Sequence, residues 1–380
     1  MAAPELQAAR GGYDALVLLL VGGGLALGLP HVTARDRRRF WHPWVNAGLL
    51  PLLAGLAIGP TGAGWLSPGA AVALHPLLAV ALAAAGVILG TQLRPAYLRA
   101  AGSEFLRRQT GVALGHFFVV ALLLGGLWWA VAPVGSGIVA WAGWAGALAL
   151  VTSQRPPGNA DLARRDLVFG HLVSVGWWNL LGLVLGTFAL STTSAGWSIL
   201  LLPPLAVGLG LLLGRSAAAA PSRADAFLFL PAVLSLAAGL ALALGTQPLL
   251  TGLLAGAVFV SSGAGRAVQV ERALDDLEQP VAVAVGLLAG LTLIGAEPLG
   301  WTWGILLVAP VRWLLRRRSG PTLPSVAGAR ERRLAPTGAA GVLLVGCAAV
   351  SGGTAPVLPA VVLIAVATLI ADGFEPRRPA

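Results

Sequence analysis

The feature that most constrains this chain is a succession of apolar runs, each about 15 to 20 residues long and almost free of charge. A bilayer has no water to satisfy backbone N–H and C=O groups, so such a run crosses it only as a helix that closes its own hydrogen bonds. Composition agrees with a membrane protein. Of 380 residues, 57% are hydrophobic and 11% charged, where a soluble domain carries about 25% charged residues. An ordinary soluble enzyme is excluded. The 51 Gly and 26 Pro are tolerable in this setting, because neighbouring helices re-satisfy backbone groups that a break exposes.

The runs predict thirteen spans, near 14–30, 45–59, 72–91, 110–132, 137–152, 169–190, 196–214, 226–245, 248–262, 281–296, 299–315, 336–350 and 355–371. All 25 basic residues are Arg, and all but Arg10 collect in alternate connections. Arg35, Arg37, Arg38 and Arg39 follow the first span; Arg94, Arg99, Arg107 and Arg108 precede the fourth; Arg155, Arg164 and Arg165 precede the sixth. Arg215 and Arg223, Arg266 and Arg272, and Arg312 through Arg333 continue the pattern. By the positive-inside bias the amino terminus is outside and the carboxyl terminus, with Arg377 and Arg378, is cytoplasmic, which requires an odd count. The Arg cluster after the first run also marks it as a span rather than a cleaved signal. This describes a multi-pass protein of the cell (inner) membrane.

The net charge of +10 therefore reports topology, and no nucleic-acid partner is expected. The surroundings are membrane lipid, and the cytoplasmic Arg-rich loops offer a surface to anionic lipid or to a protein partner. The longest polar stretch, roughly 316–333, is too short to bury a core of its own, so 1–380 forms one membrane domain. Cys347 has no second cysteine, which excludes disulfides and thiolate metal clusters. It reads as a small buried apolar residue. No cofactor is expected, and neither a P-loop nor HExxH is present.

The stretch 49–68 reads LLPLLAGLAIGPTGAGWLSP, and the third span ends in GVILGTQLRPAYLR at 86–99. This pair resembles the monovalent cation:proton antiporter superfamily, in its sodium/proton antiporter branch, whose LLaGxxxGPsGlG segment precedes a helix ending in aGLelrpxxlr. Weaker echoes follow in ARRDLVFGHLVSVGWWNLLGLVLG (163–186), QPLLTGLLAGAVF (247–259) and RRLAPTGAAGVLLV (332–345). The resemblance implies an all-α membrane fold of two inverted repeats with crossed broken helices. It also implies a homodimer that exchanges a monovalent cation, Na+ or K+, for protons. The halves would cover about 14–190 and 226–371, joined by a linker helix near 196–214. Two short segments fit the broken helices: span five closes at Thr152-Ser153-Gln154-Arg155-Pro156-Pro157-Gly158, and span twelve lies between Pro336-Thr337-Gly338 and Ser351-Gly352-Gly353-Thr354.

The family needs a carboxylate at the midplane of the sixth span, usually in an Asp-Asp or Asn-Asp pair. Here Trp178 stands at the first position and Asn179 at the essential second one. The basic residue expected within span ten is absent as well. A centre-placed charge costs about 2.5–3.5 kcal/mol, so losing both removes a cost that only function justifies. Of the fifteen acids, Asp14, Asp225 and Asp372 lie at span ends and Glu297 in an outer loop, with the rest cytoplasmic or terminal. Asp275 and Asp276, within ERALDDLEQP, read as the solvated face of a cytoplasmic connection. No acid is expected mid-membrane.

Thr152, Ser153 and Asn179 remain as neutral oxygen ligands for a desolvated cation; hydrogen bonding between packed helices explains the same residues. Trp177 and Trp178 line or plug the place of the ion cavity, or simply pack. His171 and His116 are the titratable groups within spans, and His75 lies at the outer start of span three. A structural role is the expectation for each histidine, since no partner acid is visible. Two functions follow: a transporter of a monovalent cation or small solute, with altered or lost proton coupling, or a transport-inactive scaffold or sensor subunit that binds a partner protein.

Overall fold

The computed structural model describes residues 13–14, 48–91, 93, 183–184, 186–187, 200–219, 222–262, 268–293 and 338–351. Every element among them is a helix: α1 (Leu49–Ile58), α2 (Pro68–Ala73), α3 (His75–Thr91), α4 (Leu202–Ala219), α5 (Arg223–Ala243), α6 (Pro248–Ser261), α7 (Val268–Thr292) and α8 (Gly338–Ser351). Three stretches are long and apolar enough to cross a membrane: Pro68–Thr91, Leu202–Ala219 and Ala224–Ala243. Leu49–Ile58, Pro248–Ser261 and Gly341–Val350 are shorter apolar helices.

Several expected boundaries move, each for a local reason. The third span begins at Pro68 rather than 72 and is broken at Leu74, because Pro76 has no N–H to carry the helix across. The linker helix runs past 214 to include Ala219; Ala217, Ala218 and Ala219 are strong helix formers and carry it past Arg215. The largest change is in α7. It starts at Val268, thirteen residues before the expected 281, and continues through Pro280. The supposed polar connection is helical because Val270, Ala273 and Leu274 form a buried stripe that runs on into Val281, Ala282 and Val285.

The glycine-rich stretch after α1 is a capping device. Gly59 N, Ala63 N and Leu66 N donate to the Gly55, Ala57 and Ile58 carbonyls at 2.8, 2.7 and 3.4 Å, satisfying acceptors that the helix end leaves open. Ser67 then caps α2. Its Oγ accepts from Ala70 N at 3.2 Å, while its own N–H and hydroxyl donate to the Asp14 carboxylate at 3.2 and 2.6 Å. α5 starts on a capping box in which Ser222 Oγ accepts from Asp225 N and the Asp225 carboxylate accepts from Ser222 N.

Packing is organised by two close helix crossings, and α3 with α6 share the most extensive interface. In the first, a Cβ on Gly86 would fall 2.8 Å from Leu253 N and 3.1 Å from Gly252 C, and also meet the Leu249 carbonyl. In the second, between α1 and α7, a Cβ on Gly290 would fall 2.6 Å from Leu56 N and 2.9 Å from Gly55 C, and meet the Leu52 carbonyl. The facing glycines behave alike: Gly252 abuts Ala83 O and Val87 N, and Gly55 abuts Leu287 O and Leu291 N. Leu52, Gly55 and Leu56 thus correspond to Leu249, Gly252 and Leu253, and Gly290 corresponds to Gly86. Only glycine lets backbones meet in this way.

In each crossing the residue numbers rise together, so α1 is parallel to α7 and α3 to α6. The two pairs oppose each other. The His75 ring bonds the Thr292 backbone, and Gly346 lies between Leu78 and Leu82 on α3 and Val285 on α7, so α3 descends as α7 ascends. α8 is enclosed, with residues 341–349 all buried. α4 and α5 form an outer layer: Leu200 and Leu228 are 64% and 80% exposed, as suits a lipid-facing surface.

Candidate functional site

The candidate residues Thr152, Ser153, Asn179, Trp177, Trp178, His171 and His116 lie outside the described residues. Leu183, four positions after Asn179, is buried and helical, and Thr187 is buried with its hydroxyl donating to the Leu183 carbonyl at 2.8 Å. Where α3, α7 and α8 meet, the contacts are Leu78, Leu82, Val285 and Gly346, and Cys347 is fully buried as a small apolar residue.

The acids divide by environment. Asp14 is buried and bonded to Ser67 as above, and Asp225 is held in the first turn of α5. Asp276 is exposed, in keeping with a solvated position. Glu278, only two residues on, is 1% exposed. Glu278, read with its neighbours as part of a polar connection, is thus buried among the described helices. Glu278 falls on the stripe Val270, Ala273, Leu274, Val281, Ala282, Val285 because α7 continues through the polar stretch instead of ending in it. A signal for it was present in the sequence: Glu278 lies four residues after Leu274 and four before Ala282, the spacing of one helix face.

A second polar group lies at the α5–α6 corner. Thr246, Gln247 and Thr251 are each no more than 3% exposed. Thr246 Oγ1 donates to the Ala241 carbonyl and Thr251 Oγ1 to the Gln247 carbonyl, both at 3.2 Å, with the two hydroxyls 3.5 Å apart. Since Gly252 sits against Ala83, α6 begins beside the middle of α3, which draws this corner into the interior. Gly245 in the corner has φ +65, and Gly48, before α1, has φ +71. The offset that carries Leu52 to Leu249 carries Gly48 to Gly245, so the left-handed turn recurs at the equivalent place.

His75 is half-buried, with its ring bonded to the Thr292 backbone and Nε2 enclosed by protein. It ties the start of α3 to the end of α7, which suits the structural role expected of it. No family model matches the sequence, and no curated protein matches it either.

Proposed function

We propose that the chain is an integral membrane transporter of the monovalent cation:proton antiporter fold, moving a monovalent cation or small solute by alternating access with altered proton coupling. The single observation that carries this reading is the equivalence of the two glycine crossings. α1 maps onto α6 and α7 onto α3, with direction reversed, and the left-handed glycines 48 and 245 map onto each other. A two-fold relation of that kind between a first and a second half is the expected form of inverted repeats, whose binding sites lie where the repeats meet. In the thirteen-span topology these helices are spans two, three, nine and ten. Parallel neighbours must differ by an even number of crossings, and two with ten and three with nine both do.

In this reading α8 belongs to a broken helix of the second half. Thr152, Ser153 and Asn179 supply neutral ligands near it, with Trp177 and Trp178 shaping the cavity. The protein is a homodimer of the inner membrane, with its amino terminus outside and its carboxyl terminus in the cytoplasm. The apolar contact of Gly346 with Leu78, Leu82 and Val285 favours a second reading, in which the fold is a closed scaffold that binds a protein partner through its Arg-rich loops.

Flux in proteoliposomes decides between them, with a pH-sensitive dye inside and Na+, K+ or Li+ added outside. Cation-dependent movement supports the transporter, and Asn179→Ala is expected to abolish it. Unchanged flux in that variant sinks the site assignment; no flux in folded, oriented protein leaves the scaffold.

A further inference from the structure

We propose that His75 is the pin of an acid-released clasp that fastens α3 to α7 at one end of the bundle, closed while the ring is neutral and opened when the ring takes up a second proton. The purpose of such a device rests on the transporter reading, since it sets when the two crossing pairs can move against each other. The clasp itself does not depend on that reading.

The clasp is built from the stretch between α1 and α3. Leu66, Ala71 and Leu74, each no more than 7% exposed, pack on Leu287 and Leu291 near the end of α7. The loop that leads into it is held by its own backbone, with Gly62 N and Gly64 N both donating to the Gly59 carbonyl at 3.1 Å. Where the stretch meets α3, the His75 ring bonds the backbone of Thr292, the last residue of α7. The clasp therefore joins the α1–α7 pair to the α3–α6 pair.

A place to bend lies directly beside the pin. α2 and α3 are separate helices with Leu74 between them, and Pro76 has no N–H to carry the backbone ladder across. The break is bridged by Leu74 N to the Ala71 carbonyl at 3.1 Å and Leu78 N to the Leu74 carbonyl at 3.0 Å.

The chemistry follows from the two ring nitrogens. A neutral imidazole has one N–H and one bare nitrogen, and protonation turns both into donors. Nε2 is enclosed by protein and has no hydrogen-bond partner, which leaves Nδ1 to make the bond to Thr292. A neutral ring suits this arrangement, because its single N–H is committed to Thr292 and Nε2 stays bare. A second proton creates a charged donor at Nε2 that neither water nor an acceptor reaches, and such a group loses its hydration with nothing in return. The carbonyl end of α7 attracts a cation, but that attraction is the smaller effect. The protonated ring therefore leaves its enclosure for water, which is near because the residue is only half-buried, and the bond to Thr292 is lost with it. In balanced form, the closed clasp plus one H+ from water gives the open clasp with an imidazolium.

Among the described residues no other charge competes for the ring. α1, α2, α6 and the rest of α3 carry no ionisable side chain, and α8 has only the enclosed Cys347. The charged residues of α7, Glu271, Arg272, Asp275, Asp276 and Glu278, end fourteen residues before Thr292, hence about 21 Å away along the helix. Arg215 lies late in α4, and Arg223 and Asp225 are in the first turn of α5, with Asp225 bonded to Ser222. Asp14, bonded to Ser67, is the other titratable group on the clasp, with exposed Tyr13 beside it. In the thirteen-span topology this end faces outward, so the proton comes from the external medium.

The test reads the clasp by double electron–electron resonance on purified full-length protein in detergent. Spin labels are placed on Val72→Cys in α2 and Leu236→Cys in α5, both exposed positions, in a Cys347→Ala chain. Samples are frozen in steps from about pH 8 to about pH 5, the range that spans histidine titration. Wild type at position 75 is expected to show one distance population at the alkaline end and a second that grows toward the acid end. The ratio of the two should change by up to about tenfold per pH unit, the slope of a single proton. His75→Asn keeps a donor near the place of Nδ1 but takes no second proton, and is expected to stay closed throughout; His75→Ala lacks the pin and is expected to show the second population at every pH. A single unchanged population across the range in the His75 protein overturns the inference. So does a pH-dependent second population that persists in His75→Asn, which passes the role to Asp14. If His75→Asn does not fold, His75→Ala decides, because a pH-dependent change that survives without the imidazole refutes the assignment. Cation flux in proteoliposomes is read separately: a pH-dependent clasp without flux keeps the inference and removes the transporter reading, and flux with a pH-independent clasp does the reverse.

Discussion

Replacing Gly252 by Ala puts a methyl carbon into the α3–α6 crossing 3.1 Å from Val87 N, with the Ala83 carbonyl nearer still. Both obstacles are backbone, so no side chain can swing aside. Ordinary contact begins near 3.4 Å, and the helices must part by about an ångström at Ala83. A radial gap of about 0.5–1 Å forfeits about a quarter to a half of the dispersion energy of facing atoms, and overpacking typically costs about 1–3 kcal/mol. Against this, Ala in a helix is favoured over Gly by about 0.5–1 kcal/mol. The net loss expected is about 1–2 kcal/mol. Gly208→Ala and Gly239→Ala meet nothing within 4 Å, so they keep only the propensity gain and stabilise.

The equivalence of the crossings sharpens the test. Gly55→Ala faces Leu291 N at 3.0 Å, as Gly252→Ala faces Val87 N, and is expected to lose a similar amount. Gly86→Ala combined with Gly252→Ala is expected to cost less than the sum, since one methyl has already opened the gap that the other needs. Reversible unfolding in mixed detergent–SDS micelles reads these variants, with Gly86→Ala alone completing the comparison. The reasoning is refuted if Gly252→Ala is as stable as Gly239→Ala. The two-fold relation is refuted if Gly55→Ala is harmless where Gly252→Ala is not.

Ser67→Ala removes the cap of α2 and the 2.6 Å hydrogen bond to buried Asp14. It is expected to cost about 1–3 kcal/mol in the same unfolding measurement, and wild-type stability would contradict that. Cys347, fully buried and the sole cysteine, is expected to resist a maleimide in folded protein and to react once per chain after unfolding in SDS. Labelling at native conditions would show that α8 is not enclosed.

Apolar runs were enough to make the described elements helical and membrane-compatible, because both properties rest on terms local to each segment: transfer of side chains out of water, and backbone groups that must pair. The same terms located α6 to within a residue at either end. They failed at α7. A single-segment reading scored ERALDDLEQP as polar, whereas the helical stripe that buries Val270, Ala273 and Leu274 exists only because other helices cover it. Glu278 was missed for the same reason: average polarity says a segment is wet, but the face toward its neighbours decides whether one residue in it is.

The glycines show the same division. With 51 of them, no spacing in the sequence distinguishes Gly252 and Gly290, which touch backbone, from Gly208 and Gly239, which face open space. The recurrence of LLxGLxxG at 52–59 and 249–256 gains meaning only when both are found making the same contacts. Sequence by itself therefore determined that the described elements are apolar, membrane-compatible helices and placed α6 closely, since these follow from each segment's own chemistry. Tertiary structure alone decided which helices cross, in which sense, and which carboxyl is taken out of water, because those depend on atoms brought together from distant parts of the chain.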